Sequence, residues 1–177
     1  MDFLRGLPLL RKDTTNYRPV SLLNAFSKVI EKLLYSRIYS YMNDKLCPSQ
    51  FGFHPGYQTM DLMVFSIKHI CRMLQSQGYA MALLFDLAKA FDTLKLDILL
   101  KKLESYGIRG LPLGLIKSYL GNRSQKLTVG GVDSEYLPID IGVPRGSVLG
   151  PLLFIIYLND ILKASRENKI AGVNIVN

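Results

Sequence analysis

Tryptophan is absent from this 177-residue sequence, and cysteine and histidine occur only twice each. Cys47 and Cys71 stand too far apart for a C-x-x-C pair, and His54 and His69 complete no zinc pattern. A structural metal is therefore not expected, and both thiols are expected to be buried and reduced. Long apolar runs are lacking too. The longest, "VLGPLLFIIYL" at 148–158, is about half of the roughly 20 residues a spanning helix needs, which predicts a buried helix. The opening "MDFLRGLPLLRKD" has too short an apolar run and no small-residue cleavage site, so no secretory signal is expected. No repeat, low-complexity tract or Ser/Pro/Gly linker divides the chain. These absences point to a soluble, intracellular chain without a membrane segment.

What is present is a core and a basic charge. Apolar residues make up 49% of the chain, enough to exclude disorder over most of its length. The net charge of +8 favours a polyanionic partner, nucleic acid before membrane. Residues 1–45 carry eight Lys/Arg against four acids, and residues 101–177 carry ten against six, while the middle is neutral. Basic flanks around a neutral centre suit a charged polymer threaded past a cation site; they also suit a plain globular surface.

Periodicity supplies the elements. Residues 1–20 are expected to be irregular or strand-like, with Pro19 discouraging helix at Arg18. In "LLNAFSKVIEKLLYSRIYSYM" (22–42) the apolar residues Leu22, Phe26, Val29, Ile30, Leu33, Leu34, Ile38, Tyr41 and Met42 keep the helical period. Lys28, Glu31, Lys32 and Arg37 fall outside the stripe, which is expected to be core and not a binding surface. A Pro/Gly-punctuated loop at 47–59 leads to a second helix closed by Gly78. "YAMALLFDL" (79–87) has the length and continuity of a strand buried on both faces. Helices are predicted over about 94–106, ending at Gly107, and within "LGLIKSYLGN", then a strand pair around Gly130-Gly131. A glycine-rich turn enters the apolar helix, and "KIAGVNIVN" begins like a final strand. The sum is an α+β fold, a small antiparallel sheet packed with helices.

Chemistry concentrates in two places. "FDLAKAFDTL" (85–94) sets Asp86 at the end of the expected strand, where its carboxylate and the Leu87 carbonyl are hard oxygen ligands of the kind Mg²⁺ takes. Two metals for phosphoryl transfer need further carboxylates, and Asp92 suits a helix start or salt bridge better than ligation. A satisfied buried carboxylate is the plain alternative for Asp86. "GVPRGSVLGP" (142–151) is either an ordinary tight turn or a place where backbone N–H groups hold a phosphate or let a base approach. Arg11, Lys12 and Arg18 form either a triphosphate-binding set or a solvated basic face.

Four segments taken together resemble the reverse transcriptase domain of non-LTR (LINE-like) retrotransposons. "NYRPVSLLNAFSKVIEKLLYSRI" and "SQFGFHPGYQT" resemble its two fingers blocks, "ALLFDLAKAFDTL" its first palm block, and "GVPRGSVLGPLLFIIYLNDI" the nucleotide-facing block after it. The order is the family's, and the likeness spans about residues 5–165. It implies a partial right-hand polymerase, fingers-like over about 1–78 and part of the palm over about 79–177, without a thumb. It implies RNA template, DNA primer and dNTPs as partners, Mg²⁺ as cofactor, and a nuclear place of action for an active element. Asp86 would be the first catalytic carboxylate, joined by the Leu87 carbonyl. Phe91 would be the bulky gate at the sugar 2′ position, a rigid steric device where an apolar contact discriminates poorly. Arg18, with Lys12 or Arg11, would face the triphosphate, and Pro144, Arg145 and Gly146 would lie against the new base pair and template.

The sequence also departs from the family. Position 145 is usually Gln and here is Arg; His54 and Tyr57 stand where basic residues are usual. The family's Asp-Asp palm block is expected where "KIAGVNIVN" stands, and no acid follows Glu167. The expectation is a polymerase segment truncated before that block and inactive alone, with an unpaired palm strand edge. A remnant with salt-sensitive nucleic-acid binding, and a chance α+β domain without any, are the alternatives.

Overall fold

The computed structural model describes residues 20–79, 86–87, 89–129 and 131–167. The expected irregular start with Arg11, Lys12 and Arg18, the core of the expected strand at 80–85, and the terminal "KIAGVNIVN" lie outside the described residues.

Among them, helix α1 (Ala25–Met42) is followed by a 3-10 turn, Asn43–Lys45. Helices α2 (Thr59–Gln75), α3 (Leu96–Ser105) and α4 (Leu111–Leu120) come next. Four short strands then lead to helix α5 (Leu149–Glu167): β1 (Arg123–Gln125), β2 (Thr128–Val129), β3 (Val132–Asp133) and β4 (Leu137–Ile139). The strands form two nested antiparallel pairs. β2 pairs with β3, Val129 opposite Val132, and β1 pairs with β4, Ser124 opposite Pro138. The Gly130-Gly131 hairpin is thus as the sequence predicts, with Gly131 at φ +83°, and the protein is a mixed helical and antiparallel-strand fold.

α5 is the axis of the core. Leu149, Leu152, Leu153, Phe154, Ile155, Ile156 and Leu158 are all buried, so over 149–158 the helix is covered nearly all round. It packs on α1 and α3, and α3 packs on α4. Ile38, Met42, Leu99, Leu103, Ile116 and Leu120 complete the cluster; each such side chain contributes roughly 1.5–3 kcal/mol on leaving water. No described helix is long and apolar enough to cross a membrane.

Helix ends follow side-chain chemistry. Asn24 caps α1, its Oδ1 accepting the Ser27 N–H at 2.7 Å, so the helix starts three residues later than periodicity alone places it. α3 closes as predicted on Gly107 at φ +95°, with the Ile108 N–H on Leu103 O (2.9 Å) and the Gly107 N–H on Glu104 O (3.0 Å). α2 closes the same way, but one residue early. Gln77, not Gly78, takes the left-handed position (φ +56°), and Gly78 donates to Met73 O at 3.0 Å.

Three further expectations are corrected. The apolar stripe of α1 is core only on the side of Leu34, Ile38 and Met42; Leu22, Phe26, Val29, Ile30 and Leu33 are exposed on the other side. The helix is apolar on both faces, and the core takes only one. Glu31, expected outside the stripe, is buried at 1% exposure, because it shares the inward face with Ile38 and Met42, seven and eleven residues on. Of the two free cysteines, Cys47 is buried and Cys71 is exposed, since α2 carries no buried residue at all.

Candidate active site

The two segments rich in chemistry lie against each other. Gly142 stands at φ +74°, and a Cβ there would fall 2.7 Å from Phe91 O and 2.9 Å from Asp92 Cα. Only glycine permits so close a crossing of two backbones. The crossing is pinned by the Gly142 N–H on Leu94 O (2.7 Å), the Val143 N–H on Phe91 O (2.9 Å) and an antiparallel bridge between Lys95 and Ile141. Arg123 secures it from the other side. Its Nη2 donates to Gly142 O (2.5 Å) and Ile141 O (3.3 Å), and its Nε to Leu120 O at the end of α4 (2.8 Å). Burial pushes this guanidinium below its ordinary range.

Arg145 reaches across the same junction. Its Nε and Nη2 donate to the two carboxylate oxygens of Asp92 at 3.1 and 2.5 Å. Asp92 therefore serves in a salt bridge, one of the two uses its position suggests, and α3 begins beyond it with Asp97 in its first turn. Half-exposed ion pairs stabilise little, but a two-pronged pair fixes geometry. The Arg145 carbonyl accepts the Ser21 N–H at 3.0 Å, which ties the approach to α1 onto the loop.

The N-terminus of α5 is already filled. Glu31 Oε2 accepts the N–H groups of Val148 (2.5 Å) and Leu149 (3.3 Å), and its Oε1 accepts the Tyr119 hydroxyl (3.0 Å). Ser147 Oγ accepts the Gly150 N–H at 2.9 Å. A carboxylate at a helix N-terminus meets unpaired donors and the positive end of the dipole. These amides thus hold the protein's own anion. Burial, with the Glu31 carboxylate beside it, pushes the Tyr119 phenol well above its usual range.

Of the residues singled out from sequence, Asp86 and Leu87 are exposed and outside regular secondary structure. Phe91 is half-buried, its ring 5.0 Å from that of buried Phe154 and 5.6 Å from that of Phe53. Pro144 and Arg145 are half-buried, and Gly146 is exposed at φ +84°. The Phe91 turn and the 144–146 loop are thus brought together. Among the described residues no group of three His, Cys, Asp or Glu is placed to hold a metal ion. Asp86 and the Leu87 carbonyl are two neighbouring hard donor groups of the kind Mg²⁺ takes, while Asp92 is engaged by Arg145. Sequence reasoning missed Glu31, Arg123 and Phe53. The first was findable, lying seven residues before Ile38 on one helical face; nothing local marks the other two.

Comparison with known proteins places this junction in context. Residues 10–176 match the reverse transcriptase (RNA-dependent DNA polymerase) family. The chain is 34% identical over 148 residues to the probable RNA-directed DNA polymerase from transposon BS of Drosophila melanogaster, covering 82% of this chain and 16% of that protein. It is 36% identical over 155 residues to the corresponding protein of transposon X-element from the same organism (84% and 16%). To the RNA-directed DNA polymerase from mobile element jockey it is 33% identical over 150 residues (84% and 16%). The chain thus spans 16% of the length of each of these relatives. With a match from near its start almost to its last residue, this chain belongs to the reverse transcriptase family, as a domain of the LINE-like, non-LTR retrotransposon kind.

Proposed function

We propose that this chain forms the nucleotide-facing part of an RNA-directed DNA polymerase, with fingers over about 1–78 and part of the palm over about 79–177. The observation that carries the reading is the crossing of Gly142 and Val143 over Phe91–Leu94. It joins two segments that the sequence keeps some 50 residues apart, and both match the family.

In this reading each residue has a job that its surroundings support. Phe91 excludes a ribose 2′-hydroxyl by bulk. Its backbone is held by Val143 and its ring backed by Phe154, and a steric gate needs that rigidity. Pro144 and Gly146 line the side on which the new base pair and template rest. Arg145 differs from the glutamine usual there, and with its side chain bound to Asp92 it acts by holding the loop. Arg11, Lys12 and Arg18 supply charge for the triphosphate of a dNTP. Asp86 and the Leu87 carbonyl are this chain's share of a Mg²⁺ site, where a bound cation would neutralise developing phosphate charge.

The same residues favour a second statement: by itself the chain holds template and primer without turning over. Asp92 is committed to Arg145, and among the described residues no group of three His, Cys, Asp or Glu is placed to complete a two-cation site with Asp86. Primer extension on an RNA template with Mg²⁺ and dNTPs tests this, comparing the chain with Asp86→Asn. The expected result is no Asp86-dependent incorporation. Robust incorporation abolished by Asp86→Asn would show that the metal site is complete here and overturn the second statement. Incorporation insensitive to Asp86→Asn would remove Asp86 from the site.

A further inference from the structure

Phe53 sits in the turn between α1 and α2 with φ +54°, one of four non-glycine residues at positive φ among those described. A bulky side chain is disfavoured in that conformation and persists only where its surroundings impose it. They do so here. The buried Gln50 donates its Nε2 to Gly52 O at 2.8 Å, the Gln50 N–H is on Cys47 O at 2.9 Å, and the Tyr57 N–H is on His54 O at 3.2 Å. The His54 ring is held edge-on between Tyr39 and Tyr57, with centroids 5.8 and 4.9 Å away. The framed turn sends Phe53 to the surface, where it is 40% exposed.

Its ring meets Phe91 edge to face at 5.6 Å and 67°, and Phe91 meets Phe154 at 5.0 Å. Three aromatic rings therefore run from the core outward, through the residue assigned to the sugar, to one with open π-surface. A phenylalanine needed only to cover Phe91 does not require a disfavoured backbone in order to remain exposed. Base stacking does require an exposed, rigidly presented aromatic.

We propose that Phe53 is a nucleobase-stacking residue of the polymerase site, its exposed ring taking the π-face of the base whose sugar meets Phe91. The inference rests on the assignment of Phe91 made above. The base comes either from an incoming nucleoside triphosphate or from the nucleic acid strand, since the two share the same π-face chemistry.

The absence of tryptophan makes the test direct, because Phe53→Trp introduces a single indole whose emission is quenched on stacking. The chain carrying Phe53→Trp is titrated with a dNTP alone and with an RNA–DNA hybrid bearing a recessed primer. Binding of the same hybrid is measured for the unmodified chain, Phe53→Tyr, Phe53→Leu and Phe53→Ala. Phe53→Leu keeps an apolar cover on Phe91 but has no π-face, and its fold is checked by circular dichroism. The expected result is quenching on titration, with Phe53→Leu and Phe53→Ala binding roughly five- to hundredfold more weakly and Phe53→Tyr within about twofold. Quenching by the dNTP alone identifies the incoming nucleotide; quenching by the hybrid alone identifies the strand. Unquenched emission, with Phe53→Leu binding as tightly as the unmodified chain, would overturn the inference and leave the polymerase reading standing. An unmodified chain that binds neither ligand would overturn both.

Discussion

Glu31 is an acid with 1% exposure that joins α1, α4 and α5 through Tyr119, Val148 and Leu149. Truncation to alanine removes the acceptor from one half-buried hydroxyl and two helix-terminal amides. Loss of a cap costs about 1 kcal/mol, and a buried donor left unpaired costs about 1–3 kcal/mol. Relief from burying a charge returns part of this, so the net loss for Glu31→Ala is expected at about 3 kcal/mol. For a domain of this size that is a fall in melting temperature of roughly 6–12 °C. Glu31→Gln keeps the volume and one oxygen and is expected to lose about half as much. Tyr119→Phe leaves the amides satisfied and should lose about 1 kcal/mol. The double variant should show coupling of about 1 kcal/mol, as expected of groups in contact. Urea unfolding followed by far-ultraviolet circular dichroism gives these values if the m-value stays constant across the set. A loss below about 1 kcal/mol for Glu31→Ala, within the range of an ordinary surface change, would refute the claim that this carboxylate anchors the turn at Val148 and the start of α5.

Three further outcomes follow from the same geometry. Gly142→Ala places a Cβ 2.7 Å from a backbone oxygen at φ +74°, and neither backbone can yield. It should cost at least about 2 kcal/mol and speed hydrogen exchange at Val143, whose N–H is bonded to Phe91 O. The Tyr106 phenol is raised from 10 to about 12, by burial first and by its bond to Asp160 next. Its folded-state pKa exceeds the unfolded one, so its contribution is full below pH 10 and lost as the pH rises through about 12; Tyr106→Phe should flatten that alkaline decline in unfolding titrations. A thiol reagent should label Cys71 rapidly in the folded chain and Cys47 only on unfolding, the first being exposed and the second buried; two fast equivalents would contradict the fold around Cys47.

The sequence made the element order legible because periodicity and turn chemistry are local. The strand pair around Gly130-Gly131, Gly107 as the end of α3 and the apolar run of α5 needed no partner to be recognised. Local pattern cannot choose between two apolar faces, so the α1 residues Phe26 and Val29 were expected inside and are exposed, while Glu31 was expected outside and is buried. The site divides in the same way. Asp92 was assignable to a helix start or a salt bridge from its neighbours alone, but its partner Arg145 lies 53 residues away. That Phe53 would adopt a left-handed backbone depends on Gln50 and the packed turn, and no propensity of phenylalanine announces it.

The central claim, a nucleotide-facing surface that engages template and primer, is tested most directly by binding of an RNA–DNA hybrid to the unmodified chain across a salt series. Contact with a few phosphates requires log affinity to fall linearly with log salt, at a slope of about −2 or steeper. That steep decline, with binding present at low salt, is the result expected. No binding at low salt, or an affinity indifferent to salt, would contradict it.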